Sequence, residues 1–204
     1  MNLRRLALLS TLILISTLGD GASGQRRRFD TPLRRPCDSL GPLTKLEEFD
    51  WRTETVIVRG STRVETLITR LGSARVDAVE FRDEANGAQA TGVVIELRDN
   101  SRQDAPPLES RSYIDYDEIG PVIKAWDRVA RTDDTITKLN NFESRYRTRG
   151  DFEIVVFRQT PGGTIAAAVS GGICDRVRVL LSLDEFIKLR HMVAQAKERL
   201  DELK

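Results

Sequence analysis

From Thr55 onward, apolar and polar residues alternate in short runs, and twice this alternation gives way to a helical period. "TETVIVRG" and "TRVETLITRL" carry β-branched residues at strand spacing, although the second also fits a short helix. "ARVDAVEFRD" and "ATGVVIELRD" flank "EANGAQ", whose Asn86-Gly87 pair supplies a turn, so they read as a hairpin. After the polar loop 100–112, a short strand through Tyr113 and Ile114 leads into a helix. The order then recurs: "NFESRYRT" and "DFEIVVFRQ" flank Gly150, "TIAAAVS" follows the turn "PGG", and "RVRVLLS" leads into the last helix.

The two helical segments align under one offset. With "IDYDEIGPVIKAWDRVA" set above "LSLDEFIKLRHMVAQAK", a shift of 67 residues superimposes the Asp-Glu pairs 117–118 and 184–185. It also pairs Ile119 with Phe186, Val122 with Leu189, Trp126 with Val193 and Val129 with Ala196. Both stripes step by 3, 4 and 3, and the second extends through Leu200 and Leu203. Such spacing lines one face of a helix with apolar groups and turns it to a core. The expected fold class is therefore α+β. Two related units of about four antiparallel strands, residues 54–134 and 135–204, each end in one amphipathic helix packed on the sheet.

The stretch "YIDYDE" gathers Asp115, Asp117 and Glu118 around Tyr116 and invites a catalytic reading. The repeat favours another. Asp115 precedes Glu118 by three residues, as Ser182 precedes Glu185, so each pair matches a capping box that satisfies N–H groups of a first helical turn. Asp117 and Asp184 place charge where the helix dipole favours it. A carboxylate-dependent hydrolase built on these acids is an alternative. It needs a raised carboxyl pKa or a second anchored group, and nothing nearby in sequence suggests one.

The first 24 residues combine Arg4 and Arg5, an apolar run from Leu6 to Leu18, and small residues Ala22 and Gly24 before Gln25, the three parts of a secretory signal. The run of 13 residues is too short to span a bilayer core of about 30 Å. Location is therefore expected to be secreted or periplasmic. The chain's 32 basic and 31 acidic side chains, less Arg4, Arg5 and Asp20, leave 30 of each, so overall charge points to no polyanion partner. Residues 25–53, rich in Arg and Pro, read as a flexible arm. Cys37 and Cys174 permit one disulfide, worth about 4–5 kcal/mol on the chain-entropy model and tying the arm to the body.

Other candidate chemistry is sparse. On an extended strand, Arg145, Arg147 and Arg149 share one face, which reads first as the solvent side of an ordinary sheet and alternatively as a seat for an acidic ligand. Arg149-Gly150-Asp151 spells an integrin-type tripeptide, a common chance occurrence at a turn. His191 lies off the apolar stripe and reads as exposed, and a single histidine supports neither a zinc site nor a triad. "TPGGT" and "SGGICD" lack phosphate-loop spacing, so no cofactor is expected.

The order of elements over residues 55–204 resembles the duplicated strand-then-helix layout of the Whirly-type single-stranded-nucleic-acid binders. The resemblance implies sheet faces that contact nucleic acid. The chemistry departs from it, because the exported chain is neutral and aromatic residues make up 6% of the sequence, whereas such binding uses a positive groove and stacking rings. The leading expectation is a non-catalytic exported domain that binds or scaffolds an envelope or extracellular protein. The alternative is polyanion or single-stranded nucleic-acid binding through the arginine stripe.

Overall fold

A computed structural model describes residues 41–203 except 103–104, 134, 159–162 and 174–175. The leader, most of the arm and both cysteines of the expected disulfide lie outside the described residues. Strands β1 (Ile57–Ile68), β2 (Gly72–Asp83), β3 (Gln89–Asp99) and β4 (Leu108–Asp115) form one antiparallel sheet in sequence order, followed by helix α2 (Tyr116–Ala130). Strands β5 (Phe142–Arg147), β6 (Glu153–Arg158), β7 (Ala166–Gly171) and β8 (Val177–Leu181) form a second, followed by α3 (Leu183–Asp201). The fold is α+β, two similar sheets each handing over to a helix. The Asn86-Gly87 turn closes the β2–β3 hairpin with Gly87 at φ 69°, a conformation that favours glycine.

Two expectations are corrected. "TETVIVRG" and "TRVETLITRL" belong to one strand, not two elements. The register slips between Arg63 and Glu65, and this β-bulge at Val64 lets the other residues of the 12-residue strand stay paired with β2 while it bends. The arm reading fails for its last part, because Lys45–Asp50 forms a helix, α1. Thr44 and Glu47 make a complete capping box there, and Leu46 and Phe49 are buried with Val79, Phe81, Val94 and Tyr113 on the outer face of the first sheet.

The main core lies on the opposite face. Buried residues of α2 are Ile119, Val122, Trp126 and Val129, and the same offset of 67 gives Phe186, Leu189, Val193 and Ala196 on α3. Leu200 extends the stripe, but Leu203 lies past the helix end and is 65% exposed. Each helix serves both sheets: α3 packs on β1, β2 and β3 as well as β7 and β8, and α2 touches β5 and β6 as well as β3 and β4. Trp126 sits at their meeting point, its ring 5.9 Å from Phe152 and 5.2 Å from Phe186. Full burial of each such side chain contributes about 1.5–3 kcal/mol, so the shared core binds the two units into one body.

Candidate functional site

The acids of "YIDYDE" stand where β4 passes into α2, and they are spent on groups distant in the chain. Asp115 occupies the N-cap position of α2 but makes no side-chain bond to that helix. Its Oδ2 accepts a hydrogen bond from the Lys45 N–H at 3.0 Å and its Oδ1 one from the Leu46 N–H at 3.1 Å. Asp115 therefore caps α1. Glu118 accepts from the Arg149 N–H at 2.8 Å, and both Asp117 oxygens accept from Arg149 Nη2 at 3.0 and 3.1 Å. The expected Asp115–Glu118 capping box is thus corrected: α1 docks beside the end of β4 and presents its own unpaired first-turn donors to a buried carboxylate. At α3 the box is present, with the Glu185 N–H donating to Ser182 Oγ at 3.2 Å and the Ser182 N–H to Glu185 Oε2 at 2.7 Å.

Arg149-Gly150-Asp151 closes this junction. A Cβ on Gly150 would stand 2.1 Å from the Tyr113 carbonyl oxygen, so the turn sits directly on β4. Asp151 accepts from Arg176 at 2.6 Å and pairs with Arg147 at 3.4 Å. Every member of the tripeptide is tied inward. Burial pushes Glu47 above its ordinary carboxyl value despite the N–H groups of Leu43 and Thr44. Burial also acts to raise Asp117, but the Arg149 hydrogen bond and charge outweigh it and hold the group low. Among the described residues no group of three or more His, Cys, Asp or Glu is placed to hold a metal ion, and His191 is exposed.

The arginine stripe is divided by the fold. Arg145 and Arg147 lie on β5, whereas Arg149 falls past the strand end and turns to the α2 acids. Arg147 holds buried Glu153 through Nη2 at 2.7 Å, joined by Arg176 at 3.2 Å. Burial alone would raise Glu153, but Arg147 and the surrounding guanidinium charges keep it below the usual carboxylate range. Arg145 is the freest of the three, with Glu143 at 3.6 Å and a side chain 57% exposed.

A different arginine cluster lies on the outer face of the first sheet, beyond the part that α1 covers. The register places Thr66, Arg75, Glu96 and Arg111 side by side on four successive strands. Glu96 Oε1 accepts from Arg111 Nη2 at 2.8 Å, and Glu96 Oε2 meets Arg75 Nη2. Arg63 reaches Asp77 only at 3.8 Å and Arg98 reaches Glu109 at 3.5 Å. The four arginines line an open groove of about 430 Å³ together with Glu96 and Glu109. The offset of 67 maps Arg111 onto Arg178, and the second sheet's row there reads Arg147, Glu153, Ser170, Arg178. Both sheets thus seat a carboxylate between arginines, one in an open groove and one buried.

The sequence carried a signal for this groove: Arg75-x-Asp77, Glu96-x-Arg98 and Glu109-x-Arg111 each set charges on one strand face. The same alternation also describes an ordinary solvated sheet, so only the cross-strand register separates the two. No family model, curated protein or solved structure matches the chain, and the Whirly-type likeness therefore rests on element order alone.

Proposed function

We propose that this chain is an exported, non-catalytic binding module that holds an acidic ligand, carried by an envelope or extracellular protein, in the groove of its first sheet. One observation carries the reading: Arg63, Arg75, Arg98 and Arg111 converge on one open groove, where four guanidinium groups face the carboxylates of Glu96 and Glu109 in the lining and of Asp77 beside it. Guanidinium groups meet carboxylates through paired, charge-assisted hydrogen bonds, which makes such a cluster a receptor for acidic groups. The lining contains no aromatic ring on which a nucleobase would stack. The non-catalytic part rests on the fate of the acids, since Asp115 has both oxygens turned to backbone N–H groups and Glu118 is held by the N–H and Nε of Arg149.

The test is titration of the full chain into a fluorescently labelled oligoglutamate at low and high salt. Binding that weakens with salt, and that falls about tenfold in the Arg63→Ala/Arg98→Ala double variant, is the expected result. Binding untouched by that change but lost in Arg145→Ala/Arg147→Ala would move the working surface to the second sheet.

A further inference from the structure

Resting on the reading of the groove as an acidic-ligand site, we infer that it takes an extended partner segment with a carboxylate at every second residue. Glu96 fills the central seat until that segment arrives. The register supplies the spacing. Three successive same-face rows cross the first sheet, and each presents arginine. Arg98 belongs to the row of Ser73 and Glu109, Arg75 and Arg111 to the row of Glu96, and Arg63 to the row of Asp77. Same-face rows are two residues apart, about 6.5–7 Å, which is the distance between alternate side chains of an extended peptide. A segment lying along the strands would therefore meet one arginine row with each of three alternate acids.

The seat itself is built for a glutamate-like group. Arg75 and Arg111 approach the two oxygens of Glu96 from opposite neighbouring strands, which suits a planar two-oxygen acid. It is also exchangeable. The Glu96, Arg75 and Arg111 side chains are 25%, 30% and 42% exposed, and ion pairs at such positions are weak and easily replaced by an equivalent partner. Glu153, in the matching row of the second sheet, makes the contrast. Its side chain is 6% exposed and is held by Arg147 and Arg176, so that seat is part of the structure and not open to exchange. At the outer rows the acid pairs are long, 3.8 Å for Arg63 and 3.5 Å for Arg98, whose Nε also donates to Asn100 Oδ1 at 3.1 Å; the two side chains are 63% and 51% exposed and able to turn to a ligand.

The experiment compares labelled peptides of identical composition, one with alternating Glu and Ser and one with the same Glu residues in a single block. The full-length chain and its Glu96→Gln and Arg63→Ala/Arg98→Ala variants are measured, with heparin and oligothymidylate at matched charge as further ligands. The expected result is tighter binding of the alternating peptide, strengthened about fivefold by Glu96→Gln, the scale of an exposed ion pair. If the arginine pair abolishes binding while Glu96→Gln leaves it unchanged or weaker, the seat is overturned and the acidic-ligand reading stands. Equal binding of the two peptides overturns the alternating register. Preference for heparin or oligothymidylate overturns the peptide as ligand, and no binding of any acid overturns the underlying reading as well. Should Glu96→Gln fail to fold, the peptide comparison on the unmodified chain still decides the register.

Discussion

The two sheet-to-helix handovers carry the same Asp-Glu pair at the same offset, yet they do different work. At α3 the box is local: Ser182 and Glu185 satisfy each other's backbone within one turn. At α2 the corresponding Asp115 and Glu118 reach 69–70 and 31 residues away, to the start of α1 and to the Arg149 turn. A serine side chain is long enough for its own helix, whereas an aspartate with two acceptor oxygens can satisfy two donors from another element. The first handover has become a clamp that holds α1, α2 and the β5–β6 turn together. The second has stayed a helix start.

The strongest way to break that difference is Gly150→Ala. The added Cβ would overlap the Tyr113 carbonyl oxygen and press on Thr44, both of them backbone or cap groups of the clamp. A loss of about 3 kcal/mol is expected, read as a lowered urea midpoint, because the overlapping atom is main chain and can give way only by separating the turn from β4. An unchanged midpoint would mean that the turn does not bear on the junction.

Reciprocal exchange of the two first cap residues comes next. Asp115→Ser should cost about 2 kcal/mol, since the shorter hydroxyl cannot serve two buried N–H groups of α1. Ser182→Asp should change stability by only about 0.5 kcal/mol, because either residue caps its own helix. Similar costs at both positions would erase the distinction between clamp and cap.

The helices and their buried faces were legible because their apolar spacing is a local property that the core simply selects. Ile119, Val122, Trp126 and Val129 and their four counterparts are buried as the offset implies. Helix α1 was missed although Thr44-x-x-Glu47 signals its start, because six residues following a Pro- and Arg-rich stretch show too little period. The partners of Asp115 were not legible at all. A capping pattern compares residues three apart, and Lys45 enters only once the chain has folded back along β4. The groove is an intermediate case. Alternating charge marks the polar face of β2, β3 and β4, but that Glu96 faces both Arg75 and Arg111 depends on two hairpin registers. Arg149 shows the reverse error: strand spacing grouped it with Arg145 and Arg147, and the end of β5 separated it.

The smallest expected effect concerns pH and again separates the two handovers. Asp117 is held below its ordinary value of 3.8 because Arg149 outweighs the opposing cost of its burial. A carboxyl lowered in the folded state binds protons less tightly there than in the unfolded chain. Its stabilising contribution is therefore present above 3.8 and is lost as pH falls through the lower folded value. The side chain is 58% exposed, so solvent screening keeps the contribution small. The gap in melting temperature between the protein and Asp117→Asn should narrow on acidification from about pH 6 to about pH 3. In an Arg149→Ala background the same substitution should leave a clearly smaller gap, because the guanidinium that lowers the group most is gone and only the Lys45 charge and a backbone hydrogen bond remain. An undiminished gap without Arg149 would assign Asp117 to the start of α2 and the nearby Lys45 charge, and would remove Arg149 from its account.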